Sequence, residues 1–257
     1  MTQEVGSGRS RRGRPVELGG ALVTLVEPHQ GHEVAYNRWY ERDHFYAGCM
    51  LGAWTLSGAR FVATADLKAL RYPADSPVCP DPTAGSYLAL YWILAGKFGE
   101  WIQWGTEQVR WLIDQDRMFP HRDHVHTLMY RFRTAYEGDD GVPVELALDH
   151  RSPYLVMLVG EPGDGVELDT IDAWFAERAP SLGVVGAELT PIPMHAGAPS
   201  DVPRDEAENR FCQLWFVDDD LPGAWADRWA GLGQLLFVSP FRATVPGTDT
   251  YTDQLWA

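Results

Sequence analysis

The chain has 257 residues, 45% of them apolar, and a formal net charge of −15. This length and composition allow one large globular domain or two of ordinary size. The negative charge would repel a phosphate backbone, so we expect no nucleic-acid partner. No segment approaches the roughly 20 apolar residues that cross a bilayer, so we expect no membrane association.

The first 18 residues differ from the rest of the chain because they form a basic tail. Four arginines lie there, at positions 9, 11, 12 and 14, among glycine and serine. Such a composition predicts a disordered segment, because it buries too little apolar surface to offset the entropy lost on ordering. The tail also lacks the apolar stretch of a secretory signal.

The three cysteines are Cys49, Cys79 and Cys212. They are odd in number, far apart and outside any CxxC spacing, which argues against a disulfide framework and against a structural zinc site. A reducing, cytoplasmic compartment is the simplest prediction.

After the tail, apolar runs and turn residues predict eight strands and four helices. The strands are predicted at residues 21–27, 54–65, 86–95, 125–136, 153–159, 183–193, 209–217 and 237–245. The helices are predicted at residues 33–47, 100–116, 168–178 and 222–232. We expect Gly48 to end the first helix, and the proline-rich segment 72–85 to form a surface loop.

The predicted elements follow the order strand, helix, strand, strand, helix, strand, and then repeat it. A βαββαβ unit is ferredoxin-like, with an antiparallel sheet and both helices on one face. We therefore predict an α+β fold of two tandem ferredoxin-like repeats, at residues 19–145 and 146–257. Their bare sheet faces would cover each other in an α/β-barrel-type sandwich.

The first helix carries the candidate acid/base group. At 3.6 residues per turn, Tyr36, Tyr40 and His44 share one apolar stripe, and Trp39 and Asp43 lie on the neighbouring stripe. An imidazole on such a face is either a hydrogen-bonded core residue or a group that opens onto a cavity. Both alternatives stay open at this point.

A second polar cluster starts the fourth strand, at residues 121–126. Strand spacing predicts that His124 and His126 lie on the same side. Two imidazoles could share a metal, but no further ligand is identifiable, so we predict no metal site; a solvated rim or a pocket wall are the alternatives. Trp92, on the third strand, is a candidate for an aromatic cavity wall or for the core.

The segment Asn37–His44 is similar to the N-x-W-Y-x-x-x-H pattern of the dimeric α/β-barrel superfamily, in its EthD-like or small polyketide cyclase-isomerase branch. The repeated strand and helix order resembles that superfamily as well. In the second half, the corresponding helix has Ala179 where the first half has His44. The resemblance therefore implies one working pocket, in the first repeat, with the second repeat diverged.

This resemblance implies a cofactor-independent enzyme that performs cyclisation, isomerisation or lyase chemistry on a small hydrophobic carbonyl or aromatic, polyketide-like compound. His44 would be the acid/base group and Tyr40 would orient it or polarise a carbonyl. The expected substrate contacts come from both clusters and from the third strand: Tyr36, Trp39, Asp43, Trp92, His124 and His126.

Two alternatives remain within the same resemblance, and a homodimer is an option in each. One is a haem- or oxygen-dependent monooxygenase-like protein, for which His150 or His195 would be the axial ligand. The other is a small-molecule-binding protein without catalysis.

Overall fold

The computed structural model describes residues 16–139, 141–193, 209–218 and 234–256, together with Val202, Leu221 and Trp229. This part of the chain contains eight strands. They are β1 (Leu18–Pro28), β2 (Thr55–Val62), β3 (Tyr87–Leu94), β4 (Arg122–Glu137), β5 (Tyr154–Glu161), β6 (Val185–Pro191), β7 (Phe211–Val217) and β8 (Gln234–Ala243). Each overlaps a strand expected from the sequence.

The α-helices of the described part lie between these strands. They are α1 (Glu33–Trp39), α2 (Ala65–Lys68), α3 (Phe98–Asp114), α4 (Ala147–His150) and α5 (Leu168–Leu182). A π-helix, Tyr40–Met50, follows α1 directly, so the prediction that Gly48 ends this helix was wrong. The helix predicted at residues 222–232 and the predicted tail fall almost wholly outside the described residues, although Leu18 already belongs to β1.

The eight strands form one closed antiparallel barrel in the order β1-β3-β2-β8-β5-β7-β6-β4. Within each half the strand order is fourth, first, third, second, which is the ferredoxin-like arrangement. This confirms the predicted α+β fold with antiparallel ferredoxin-like sheets. The boundary predicted near residue 145 falls between β4 and β5.

Alternation along the strands separates the side chains into an inner and an outer layer. The inner layer fills the barrel and includes Val23, Leu90, Met157 and Leu214. The outer faces are covered by helices, because Tyr87 and Tyr91 of β3 pack against α1, the π-helix and α3. The corresponding layer over the second half is filled by aromatic side chains: Phe175, Phe211, Trp215 and Trp229.

The two halves meet at two seams of unequal length. The β4 and β6 strands pair over seven residues, from Tyr130 with Pro191 to Glu137 with Val185. The β2 and β8 strands pair over only two, Phe61 with Ala243 and Val62 with Arg242. The barrel thus closes within one chain and needs no second copy to do so; a homodimer stays a prediction.

A β-bulge in β4 changes the direction of two histidines. Leu25 of β1 pairs with His126, whereas the next residue, Val26, pairs with His124. Val125 is therefore the extra residue, and the side chains on either side of it point to opposite faces of the sheet. The prediction that His124 and His126 share one side was wrong for this reason.

The second half contains a fully buried carboxyl group, that of Glu188 on β6. Its Oε2 accepts hydrogen bonds from the Tyr136 hydroxyl at 2.5 Å and from Gln213 Nε2 at 2.8 Å. The same hydroxyl lies 3.0 Å from Asp172 Oδ1, and Arg133 Nε lies 3.7 Å from Glu188 Oε1. Because a phenol donates one hydrogen only, the second contact requires a proton on one carboxyl. Burial raises the pKa of Glu188 to about 7.

We expect Glu188→Gln to flatten the pH dependence of stability. A carboxyl with a raised folded-state pKa contributes fully below the unfolded pKa, and this contribution is lost as the pH rises through the folded pKa. Between about pH 4.5 and pH 7 the wild-type protein should therefore lose on the order of 3 kcal/mol of unfolding free energy relative to the variant. Urea unfolding at pH 5 and pH 8 measures the difference.

The matched control is Glu177→Gln, because the Glu177 side chain on α5 is 79% exposed. It should leave the pH dependence of the wild-type protein unchanged. If Glu188→Gln shows the same pH dependence as the wild-type protein, Glu188 does not hold the proton.

None of the helices in the described ranges is both long and apolar enough to cross a membrane.

Candidate functional site

A cavity of about 470 Å³ lies in the first half, between the outer face of the sheet and the helices that cover it. The sheet wall is formed by Leu22, Thr24 and Val26 of β1 and by His124, Thr127 and Met129 of β4. The opposite wall comes from the π-helix and from α3, where Gly105 and Thr106 leave room. The volume suits a small organic ligand, and most of the lining is apolar.

His44 of the π-helix lines this cavity. Its imidazole stacks on the Trp39 indole, with ring centroids 4.6 Å apart and an angle of 19° between the planes. Nδ1 is buried and has no hydrogen-bond partner. Burial, followed by the positive charge of Arg122, lowers the pKa of His44 to about 3. The ring is therefore neutral at physiological pH, as an apolar environment requires.

Tyr40 also lines the cavity, and its side chain is buried. The hydroxyl oxygens of Tyr40 and Tyr91 are 3.0 Å apart. Burial raises the pKa of Tyr40 to about 12 and that of the neighbouring Cys49 thiol to about 12. Tyr40 thus remains a protonated phenol, and Cys49 is no thiolate nucleophile.

Across the cavity, Arg122 and His124 begin β4. The Arg122 Nη2 lies 3.4 Å from His124 Nε2, and His124 Nδ1 lies 2.8 Å from the Thr127 hydroxyl. His124 is therefore a second imidazole on the wall of the cavity that His44 lines.

The helix that bears His44 is fixed from below by a buried arginine on β2. Arg60 Nη1 donates to Asn37 Oδ1 at 2.9 Å and lies 3.4 Å from Glu41 Oε1. Its guanidinium also lies 4.5 Å from the centre of the Tyr40 ring. Because the Arg60 side chain is only 4% exposed, these contacts act in a low dielectric and hold the helix firmly against the sheet.

The segment after β8 also fastens this helix. In the segment after β8, the Thr248 carbonyl accepts from Asn37 Nδ2 at 2.9 Å, and the Gly247 amide donates to Glu41 Oε2 at 2.9 Å. These partners are more than 200 positions apart in the sequence. The second half thus helps to position a helix of the first half.

Of the predicted site residues, His44, Tyr40 and His124 are brought together on the cavity wall. Trp39 supports the far face of the His44 ring, and its indole nitrogen donates to the Arg117 carbonyl at 2.8 Å. Tyr36 is buried in the aromatic cluster below. The carboxylate of Asp43 pairs with Arg117, so it acts on His44 through its charge rather than through a hydrogen bond.

Two predicted substrate contacts lie on the wrong side of the sheet. Trp92 is fully buried among the side chains that fill the barrel, on the opposite face of β3 from Tyr91. His126 points inward as well, because of the bulge at Val125, and its Nε2 lies 2.7 Å from the Tyr130 hydroxyl. Neither residue lines the cavity, so the prediction that they contact its ligand was wrong.

Several cavity residues were missed by sequence reasoning. On α3, Gly105 and Thr106 line the cavity beside Trp101, whereas Trp111 is 45% exposed. Small residues on an otherwise bulky helical face were the available signal. Ile192, Pro193 and Val202 come from the second half, and nothing in their local sequence indicates that they reach the first.

Of the two haem ligands expected from sequence, only His150 lies in the described part of the chain, and it is not at this cavity. His150, on α4, is partly exposed and its Nε2 lies 2.9 Å from Asp218 Oδ2; it is absent from the cavity wall. His195 lies outside the described residues. Within the described ranges, no three His, Cys, Asp or Glu side chains are arranged to hold a metal ion.

No known family and no curated protein matches the chain by sequence. Solved structures share its fold. A chlorite dismutase-like protein is 14% identical, with a TM-score of 0.50 over 93% of this chain and 100% of its own. An anthrone oxidase-like protein is 11% identical, with a TM-score of 0.50 over 91% of this chain and 95% of its own.

A haem-bound DypB variant from Rhodococcus jostii is 12% identical, with a TM-score of 0.42 over 93% of this chain and 96% of its own. At such identities a structural likeness indicates the fold only. The chlorite dismutase-like and anthrone oxidase-like structures agree with the ferredoxin-like α+β fold of the chain. They do not identify the EthD-like branch, and they do not distinguish acid/base from haem or oxygen chemistry.

We expect His44 to remain neutral throughout the range in which an ordinary histidine titrates. With a pKa of about 3, its imidazole should show no protonation between pH 5 and pH 8, because burial disfavours the charged form. Histidine-labelled protein, followed by NMR across this range, measures it, with His44→Gln assigning the signal. A midpoint for His44 near 6.5 would show that the ring is solvated.

Proposed function

We propose that the chain is an enzyme that moves a proton on a small hydrophobic carbonyl or aromatic compound bound in the His44 cavity. The observation that carries the proposal is a neutral imidazole on the wall of a mostly apolar cavity. A neutral imidazole has a lone pair that can accept a proton. The apolar lining favours a ligand with rings or hydrocarbon chains.

The step is the removal of a proton from a carbon beside a carbonyl group. The C–H bond breaks, the proton moves to His44 Nε2, and the electron pair moves to the carbonyl oxygen as an enolate. Acceptance at Nε2 requires the tautomer with hydrogen on Nδ1. The Tyr40 hydroxyl stays protonated and can donate to the carbonyl oxygen. Return of the proton to another carbon gives an isomerisation.

The resting imidazole is a weak base, because burial disfavours its charged form and the positive charge of Arg122 adds to this effect. A bound substrate increases the basicity of the His44 imidazole. As negative charge develops on the substrate, the imidazolium gains an opposite charge close by, and its pKa rises. The site therefore favours substrates that already have an acidic C–H, such as aromatic ketones whose enolate is delocalised.

A test uses hydrogen–deuterium exchange at the acidic carbon of a panel of ketones, with anthrone and 1-tetralone as the first members. The wild-type protein should accelerate exchange in D₂O, measured by proton NMR, and His44→Gln should lower the acceleration roughly 10²-fold or more. Because His44 has a pKa of about 3, the rate should be flat between pH 5 and pH 8.

The matched control is His150→Gln, which removes an imidazole far from the cavity. This variant should accelerate ketone exchange as much as the wild-type protein does. Acceleration that survives His44→Gln contradicts the assigned base. A ketone that binds without any exchange would instead identify a ligand-binding protein, which is the non-catalytic alternative.

Haem is the second candidate, favoured by the same neutral imidazole, because iron binds that form of histidine. The residues present fit the group in their chemistry: His44 would hold the iron, and Arg110 and Arg122 on the cavity wall would pair with the carboxylates of the haem. When bound, a haem supplies redox and oxygen chemistry that side chains lack. The protein would exclude water from the site and keep the His44 ring in position.

Titration of the purified protein with hemin tests this alternative. A stoichiometric Soret band that is lost in His44→Ala and kept in His150→Ala would support it. A spectrum of free hemin in all three proteins would remove it.

The cytoplasmic location remains a prediction. The three cysteines are free and buried, which is compatible with it.

A further inference from the structure

The His44 imidazole lies in a narrow slot. Trp39 covers one face of the ring at 4.6 Å between centroids. On another side, a methyl group at Gly48 would lie 2.9 Å from His44 Cε1, 3.1 Å from Nδ1 and 3.2 Å from Nε2. The ring thus packs directly against the glycine backbone, and no side chain other than hydrogen fits between them.

The slot results from the wide turn of the π-helix. A π-helix joins each amide to the carbonyl five residues earlier, as the Leu51 amide does with the Tyr46 carbonyl at 2.9 Å. Trp39 precedes His44 by five residues and Gly48 follows it by four. This winding places an indole and a bare backbone segment next to the same ring.

Helix propensity makes the glycine at this position unexpected. Gly48 lies inside a helix and its φ is not positive, so alanine could adopt its conformation. Alanine would favour the helix by about 1 kcal/mol. Backbone conformation therefore does not require glycine at this position. The absence of a side chain instead leaves space for the His44 ring.

We propose that Gly48 is a positioning residue, whose missing side chain allows the π-helix to hold the His44 ring in one orientation. In that orientation Nδ1 is buried without a hydrogen-bond partner, and we assign Nε2 to the ligand. The orientation stands on the geometry alone. Only its consequence for catalysis rests on the proposed function, in which Nε2 accepts the proton.

The test compares Gly48→Ala with Gly105→Ala. Gly105 lies on the opposite wall of the same cavity, and a methyl group there would meet Trp101 at an ordinary 3.6 Å. NOEs between the His44 ring and the Trp39 indole should be present in the wild-type protein and in Gly105→Ala. They should be lost in Gly48→Ala, because the added methyl group displaces the ring from the slot.

The exchange assay provides a separate readout. In Gly48→Ala, kcat for ketone exchange should fall on the order of 10²-fold, since misplacing a catalytic group by about 1 Å has this effect, with KM changed less. Unchanged NOEs in Gly48→Ala overturn the positioning role, whatever the activity. The NOEs could be lost in Gly48→Ala while neither the wild-type protein nor its variants accelerate ketone exchange. That result supports the positioning role and rejects the proposed function.

If Gly48→Ala fails to fold, as judged by circular dichroism, Trp39→Leu replaces it. This variant opens the other side of the slot without adding volume near the glycine. NOEs between His44 Hε1 and the Gly48 α-protons should then be lost. If they remain at wild-type strength, the ring is held by something other than the slot, and the proposal is wrong.

Discussion

Pairing of edge strands between the two halves is the interaction on which this molecule depends. A four-stranded ferredoxin-like sheet has helices on one face and an apolar surface on the other, and its two edge strands lack partners on one side. Here β2 pairs with β8 and β4 pairs with β6, so that both apolar faces turn inward and no strand edge is left open. The barrel interior is then filled by side chains, as expected for eight strands.

Because the inside of the barrel is packed, any ligand space must lie outside it. The two halves differ in this respect. In the second half, the layer between sheet and helix is filled by large aromatic rings. In the first half, glycine and threonine on α3 leave the cavity open beside His44. The structural contrast between the halves is therefore one of side-chain volume over the same strand arrangement, and it accompanies the contrast between His44 and Ala179.

The element order was predictable because each strand and helix has its own hydrophobic period and is bounded by turn residues. The His44 stripe was predictable for the same reason, since Tyr40 and His44 do reach one cavity. Two features defeated simple periodicity. The bulge at Val125 inserts one residue and reverses the side of His124 relative to His126, and the π-helix replaces the expected spacing after Trp39. Both depend on tertiary contacts that a local pattern does not contain.

The contributions of residues from distant parts of the chain also could not be predicted from the sequence. Arg60 was only one residue of a predicted strand, yet its buried guanidinium fixes the helix that bears His44. The cavity contacts of Ile192 and Pro193 depend on the pairing of β4 with β6. Such contributions follow from the closed barrel rather than from any motif, so they become visible only once the strand order is known.

The hydrogen bonds from Gly247 and Thr248 to the first helix have a consequence for the order in which the protein matures. During synthesis, the first four strands and the His44 helix leave the ribosome long before the segment after β8. Until that segment emerges, Asn37 and Glu41 lack two of their final partners. The helix that bears His44 is therefore translated about 200 residues before the segment that fastens it to the second half.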